Sequence, residues 1–129
     1  MEVKLTIGEV MTTFPATVEG NESLERAKQL MLQQGYRHLP VMNQGSVVGI
    51  LSERDINVAV VSSGKSSEEL SVAAAFVGHP YQVSREQTLE SVLHEMLLQH
   101  IGSVLVVEEG KLVGIFTTMD ACRLLRERL

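Results

Sequence analysis

Gly49-Ile50-Leu51-Ser52-Glu53-Arg54-Asp55 is written a second time as Gly114-Ile115-Phe116-Thr117-Thr118-Met119-Asp120, each position displaced by 65. The same offset, with no gap, pairs Pro15 with Pro80, Val18 with Val83, Leu24-Glu25 with Leu89-Glu90 and Met31-Leu32 with Met96-Leu97. It also pairs Val41 with Val106 and Gly45 with Gly110. A repeat of this length is read before any local structure, because each copy is one supersecondary unit that cannot bury its apolar faces alone. Identities between the copies are otherwise thin, so the positions that stayed alike need a reason.

One copy reads as β-α-β-β-α. Ala16-Thr17-Val18 follows Pro15 and is extended, as the neighbours of a proline tend to be. Leu24, Ala27, Leu30 and Met31 then recur at helical spacing, with Asn21 and Ser23 as candidate caps and Gly35 as the stop. Leu39 to Met42 and Ser46 to Leu51 are apolar strands around Asn43-Gln44-Gly45, a tight turn with glycine at its left-handed position. From Ser52 the chain turns helical to about Val61. The second copy repeats this from Tyr81-Gln82-Val83, through a helix around Leu89, Val92, Leu93 and Met96 and a hairpin turned at Glu108-Glu109-Gly110, to a helix carrying Cys122, Leu124 and Leu125. The first repeat spans 7–61 and the second 72–125, with a link at 62–71 whose Ser62 to Ser67 stretch looks flexible. Ile7 to Met11 and Val72 to Phe76 are candidate lead-in helices. The fold class is α+β, two tandem units packed as one module, since half of 129 residues makes a marginal core.

Composition narrows the function. A hydrophobic fraction of 44% against 21% charged is that of a globular chain, and 4% aromatic residues point to a core of Val, Leu, Ile and Met. A net charge of −5 argues against a general nucleic-acid surface or an anionic membrane surface. Arg123, Arg126 and Arg128 suit the C-terminus of the last helix. Cys122 is the only cysteine, so it forms no intramolecular disulfide, and it is expected as a small buried hydrophobe. Met1-Glu2-Val3-Lys4 does not open a basic and then apolar leader, and no run approaches the roughly 18 apolar residues of a membrane helix. A cytoplasmic protein is the expectation.

Several leads fail on spacing. Gly64-Lys65-Ser66 resembles the end of a phosphate-binding loop, but that pattern needs glycine where Ala59 stands and a strand where a helix is predicted. His94 and His100 miss the i, i+4 spacing of a zinc pair, so no metal site is read there. No nucleophile appears with a recognisable partner, and no catalytic residue is assigned.

What remains is the doubled Gly-apolar-apolar-Ser/Thr-x-x-Asp. In each copy it runs from a strand end into a helix N-terminus, where free N–H groups and the helix dipole favour an anion. Ser52 and Thr117 add a hydroxyl. Asp55 and Asp120, one turn on, can accept both hydrogens of a ribose diol. The same residues also suit a capping box, which accounts for the hydroxyl and the acid but leaves the glycine unexplained. On the residues alone, ligand seat and helix cap both stand.

Paired repeats with a Pro-x-x-Val opening, this closing motif, and Arg37-His38-Leu39-Pro40-Val41 resemble the cystathionine-β-synthase (CBS) domain, two of which form a Bateman module. The resemblance runs from about Ile7 to Leu125. It implies a regulatory module, not an enzyme, that binds AMP, ADP, ATP or S-adenosylmethionine in two clefts between the repeats. No catalytic cofactor is implied. One cleft would use Ile50, Ser52, Arg54 and Asp55 with Phe76, His79, Tyr81, Gly102 and Ser103. The other would use Ile115, Thr117 and Asp120 with Met11, Phe14, Ala16, Tyr36, Arg37 and His38. Arg37 and His38 favour the Asp120 cleft for polyphosphates, since charge-assisted bonds are the stronger ones. Phe76 stands where the first copy has Met11, and the family often carries Met there, which leaves the base slot of the first cleft the less regular. A homodimer through the helices and an effector protein addressed in trans complete the expectation. The alternative is a structural or dimerisation module whose motifs serve only as caps.

Overall fold

The computed structural model describes residues 4–129, so the reading of Met1-Glu2-Val3 as no leader falls outside the described residues. In chain order the elements are α1 (Ile7–Val10), β1 (Thr12–Thr13), β2 (Val18–Glu19), α2 (Leu24–Gln34), β3 (His38–Asn43), β4 (Ser46–Ser52) and α3 (Glu53–Ser63). A 3-10 turn at Val72–Ala74 leads into β5 (Val77–Gly78), β6 (Gln82–Val83), α4 (Leu89–Gln99), β7 (Ser103–Glu108), β8 (Lys111–Thr117) and α5 (Thr118–Glu127). This is the doubled β-α-β-β-α pattern, with a short strand added to each copy.

The chain divides into two compact units that interleave along the sequence: residues 16–80 form one, and residues 1–15 with 81–129 form the other. In the first, the sheet order is β2-β3-β4-β5; in the second it is β1-β8-β7-β6. Each sheet has a parallel edge pair (β2 with β3, β6 with β7) and a central antiparallel hairpin. The fourth strand comes from the lead-in of the other copy. Thus β1 pairs with β8 through Thr12–Ile115 and Thr13–Gly114, and β5 pairs with β4 through Ile50–Val77 and Gly49–Gly78.

Local chemistry explains the elements. Ser23 Oγ accepts the Arg26 N–H at 3.0 Å and starts α2, whose buried stripe is Leu24, Ala27 and Met31. Gly35 ends it in the left-handed region. In the second copy Thr88 caps α4, Val92 and Met96 are buried, and His100 takes the left-handed stop at φ 55°. Both hairpins turn through two successive left-handed residues, Gln44-Gly45 and Glu109-Gly110, the geometry that matches strand twist. The buried side chains are mostly aliphatic: Val18, Leu24, Leu39, Val41, Leu51, Ile56 and Val72 with Met31 in one unit, Ile7, Val83, Val92, Val104 and Val106 with Met11, Met96 and Phe116 in the other. Full burial of each stabilises its unit by roughly 1.5–3 kcal/mol.

Two expectations need correction. The stretch Ser62 to Ser67 is structured: α3 runs to Ser63, Gly64 closes it at φ 71°, and the following residues dock on α2. Ser67 O accepts the Glu25 N–H at 3.0 Å, Ser67 Oγ donates to Glu25 Oε1 at 2.9 Å, and Leu70 O accepts the Leu24 N–H at 2.8 Å. The link satisfies N–H groups that a helix start leaves free. Leu5 O does the same for Leu89 N in the other unit. Cys122 is exposed instead of buried, because α5 turns Ala121 and Leu124 onto the core and position 122 lies about 100° off that face.

Candidate functional site

Each unit builds the motif in the same way. In residues 16–80, β4 ends at Ser52, whose Oγ accepts the Asp55 N–H at 3.0 Å while Asp55 Oδ2 accepts the Ser52 N–H at 2.8 Å. In the other unit Thr117 Oγ1 accepts the Asp120 N–H at 3.4 Å, and Asp120 Oδ2 accepts the Thr117 N–H at 2.9 Å. Both are reciprocal capping boxes. The carboxylates differ in setting: Asp120 is buried at 8% exposure, Asp55 half-buried.

The glycines of the motif are seats for the exchanged lead-in. A Cβ on Gly49 would meet the Phe76 ring and the Val77 carbonyl, and one on Gly114 would meet the Met11 thioether. Met11 and Phe76 are matching positions, so the same contact is made twice with different side chains. A bare backbone at 49 and 114 lets the β5 and β1 segments lie close on the hairpin.

Beside each seat the opening turn is strained. Phe14 sits at φ 46° and His79 at φ 53°, matching non-glycine residues in the left-handed region. Both are exposed, Phe14 at 82%. Such a conformation costs on the order of 1–3 kcal/mol and is held only where the surroundings enforce it. Phe14 N–H donates to Val113 O at 3.1 Å, which fixes the turn on β8.

The remaining candidates fall beside these motifs. His38 lies across the hairpin from Ser52, and Arg37 O accepts the Glu53 N–H at 2.9 Å. Burial pushes the His38 pKa down, the Asp55 carboxylate partly offsets this, and the Arg37 charge adds to the lowering. Arg37 and Arg54 are exposed, while Ala16, Tyr36 and Ile50 are half-buried. In the other unit Ser103 lies across from Thr117, and Gly102 O accepts the Thr118 N–H at 3.1 Å. Ile115 is buried, and Tyr81 O accepts the Leu105 N–H at 2.9 Å. Burial raises the Tyr81 phenol pKa, and the Glu95 carboxylate raises it further.

Unit by unit, residues 16–80 bring together Ile50, Ser52, Arg54, Asp55, Phe76 and His79 of the first expected set with Ala16, Tyr36, Arg37 and His38 of the second. The other unit brings together Met11, Phe14, Ile115, Thr117 and Asp120 of the second set with Tyr81, Gly102 and Ser103 of the first.

The sequence profile of the CBS domain matches this chain twice, over residues 7–62 and 76–127. The chain belongs to the CBS domain family. Among curated proteins it is similar to the CBS domain-containing protein YhcV of Bacillus subtilis strain 168, 29% identical over 89% of this chain and 81% of that one. Among solved structures, an uncharacterized conserved protein of Pyrococcus horikoshii is 32% identical, with a TM-score of 0.87, 100% of this chain and 98% of that chain covered. The CBS domain pair of protein MJ0100, solved in complex with 5′-methylthioadenosine and S-adenosyl-L-methionine, shares the fold at 24% identity and a TM-score of 0.86, covering 98% of this chain and all of that one. In three other curated relatives the CBS chain spans only about a quarter of the relative's length.

Two features of the site were not read from the residues. One is the role of the glycines, which needs the lead-in exchange to be known. The other is Arg123, whose Nη1 donates to Asp120 Oδ1 at 2.8 Å. Its i, i+3 spacing from an acid was the available signal. Arg123 thus faces a carboxylate instead of serving only the helix C-terminus.

Proposed function

We propose that this chain is a regulatory module without catalytic activity, binding an adenosine-containing ligand (AMP, ADP, ATP or S-adenosylmethionine) and signalling to a partner protein in trans. The ribose diol goes to Asp55 and Asp120, and phosphate or another anion goes to the helix starts at Ser52 and Thr117. The base goes to the apolar surface that Phe76 and Met11 make on the motif glycines. Ile50, Arg54, His79, Tyr81, Gly102 and Ser103 would complete the first cleft, and Phe14, Ala16, Tyr36, Arg37, His38 and Ile115 the second.

The observation that carries this reading is the matched strain at Phe14 and His79. Capping boxes account for the hydroxyls and acids. They do not account for two exposed, left-handed, non-glycine residues at the same place in both copies, each next to a seated lead-in. Unlike the equally left-handed Gln44 and Glu109, these two do not sit in a hairpin turn that demands the conformation, and strain of this kind clusters at ligand clamps and switch regions, which supports the reading. The adenosine compounds bound to a protein of the same fold support the ligand class.

Calorimetric titration of the whole chain with AMP, ATP and S-adenosylmethionine tests the proposal, with binding at or below millimolar ligand expected. Nucleotide is expected to raise the melting temperature of the parent by mass action, and to do so less for Asp55→Ala or Asp120→Ala. The capping geometry supports a second reading, a purely structural module. There each substitution costs roughly 0.5–2 kcal/mol of stability and nucleotide shifts nothing.

A further inference from the structure

The two carboxylates are not equally available. Asp120 has both oxygens engaged: Oδ2 accepts from Thr117 N at 2.9 Å and Thr117 Oγ1 at 3.3 Å, and Oδ1 accepts from Arg123 Nη1 at 2.8 Å. Asp55 Oδ2 accepts from Ser52 N at 2.8 Å, and its Oδ1 has no hydrogen-bond partner among the described residues. The cause lies at one position. Val58 stands in α3 where Arg123 stands in α5, and a valine has no donor to offer.

A ribose diol needs two acceptor positions on one carboxylate. At Asp55 one oxygen serves the helix cap and the other is open. At Asp120 a diol competes with Arg123 for Oδ1, exchanging a hydrogen bond between two charged groups for one in which only the carboxylate is charged. Arg123 is mostly exposed, so solvent screens the pair and the penalty is modest.

We infer that Arg123 is a specificity-determining residue, a latch on the Asp120 carboxylate that ranks the two seats so that a ribonucleoside fills Asp55 first and Asp120 only at higher concentration. This rests on the ribonucleotide reading above. It also revises the expected preference: Arg37 and His38 bear on phosphate, while the latch bears on the diol. A ligand without vicinal hydroxyls gains nothing from the latch being open.

The test is titration calorimetry of the full chain with AMP and with 2′-deoxy-AMP. Asp55→Asn keeps an acceptor for the cap and weakens the open seat, isolating Asp120. Adding Arg123→Met to it is expected to tighten AMP about fivefold, the scale of a partly screened ion pair. Arg123→Lys is expected to keep much of the latch. In the reverse experiment, Val58→Arg in an otherwise unchanged chain is expected to loosen the tight AMP site about fivefold and leave 2′-deoxy-AMP nearly unchanged. Val58 is 56% exposed, so this variant folds without repacking a core. AMP binding that is indifferent to Arg123→Met and to Val58→Arg overturns the latch and leaves the nucleotide reading standing. No binding of AMP to any version overturns both.

Discussion

Protonating His38 works against the fold. Its side chain is half-buried at the start of β3, across from Ser52, and the charged groups that face it are Asp55 on α3 and Arg37 beside it. Its folded pKa lies below the ordinary 6.5, with burial the main cause, so the unfolded chain takes up the proton first as pH falls. The contribution of His38 to stability is therefore complete above pH 6.5 and is lost as pH drops from there through the lowered folded value. Urea midpoints at pH 7.5 and 5.5 are expected to drop more in the parent than in His38→Asn; equal drops would contradict the assignment. The motif residues at this scale were legible in the sequence because the copies preserve them at one offset. The left-handed Phe14 and His79 were not, since a residue's name does not state its φ, and neither was the Arg123 bond, one of several partners a flexible side chain can choose.

Among the elements, α4 ends less well than α2. His100 adopts the left-handed stop that Gly35 adopts in the first copy, at a cost of about 1–2 kcal/mol for a residue with a Cβ. Glycine removes that cost and gives part of it back as chain entropy, so His100→Gly is expected to stabilise by roughly 0.5–1 kcal/mol, a rise of a few degrees in melting temperature. The two seats predict the opposite kind of change. Gly49→Ala drives a methyl against the Val77 carbonyl as well as the Phe76 ring, whereas Gly114→Ala meets the flexible Met11 side chain. Calorimetric unfolding is expected to show a loss of about 2–3 kcal/mol for the first and about 1 kcal/mol for the second. Equal losses would mean that backbone and thioether yield alike. Helical periodicity and the glycine turns made α2, α4 and both hairpins readable. Strands β1 and β5, two residues each, carry no periodicity and exist only through their partners.

For the whole molecule, the repeat places an exposed leucine at the same point of both units: Leu32 on α2 at 80% and Leu97 on α4 at 78%. Leu32 also borders an apolar groove of about 200 Å³ with Met31, Tyr36 and Ile56, smaller than a typical ligand pocket. A homodimer through these helix faces is our proposal. Sedimentation of the Leu32→Glu, Leu97→Glu double variant is expected to give a monomer, with the unfolding temperature measured at high dilution little changed. No helix among the described residues is long and apolar enough to cross a membrane. The duplication told the number of units, but not that residues 1–15 belong with 81–129, because exchange of a two-residue strand leaves no trace in composition. That exchange bears on ancestry. A single copy with this geometry keeps three strands of its own and leaves the β4 or β8 edge without the arm that the other copy supplies, an edge open to the arm of a second molecule as in a swapped dimer. Joining two such copies in one chain turns an encounter that depends on concentration into one that the tether guarantees. Deleting either half is then expected to leave the survivor's sheet one strand short, with an edge that only another molecule's arm can cover.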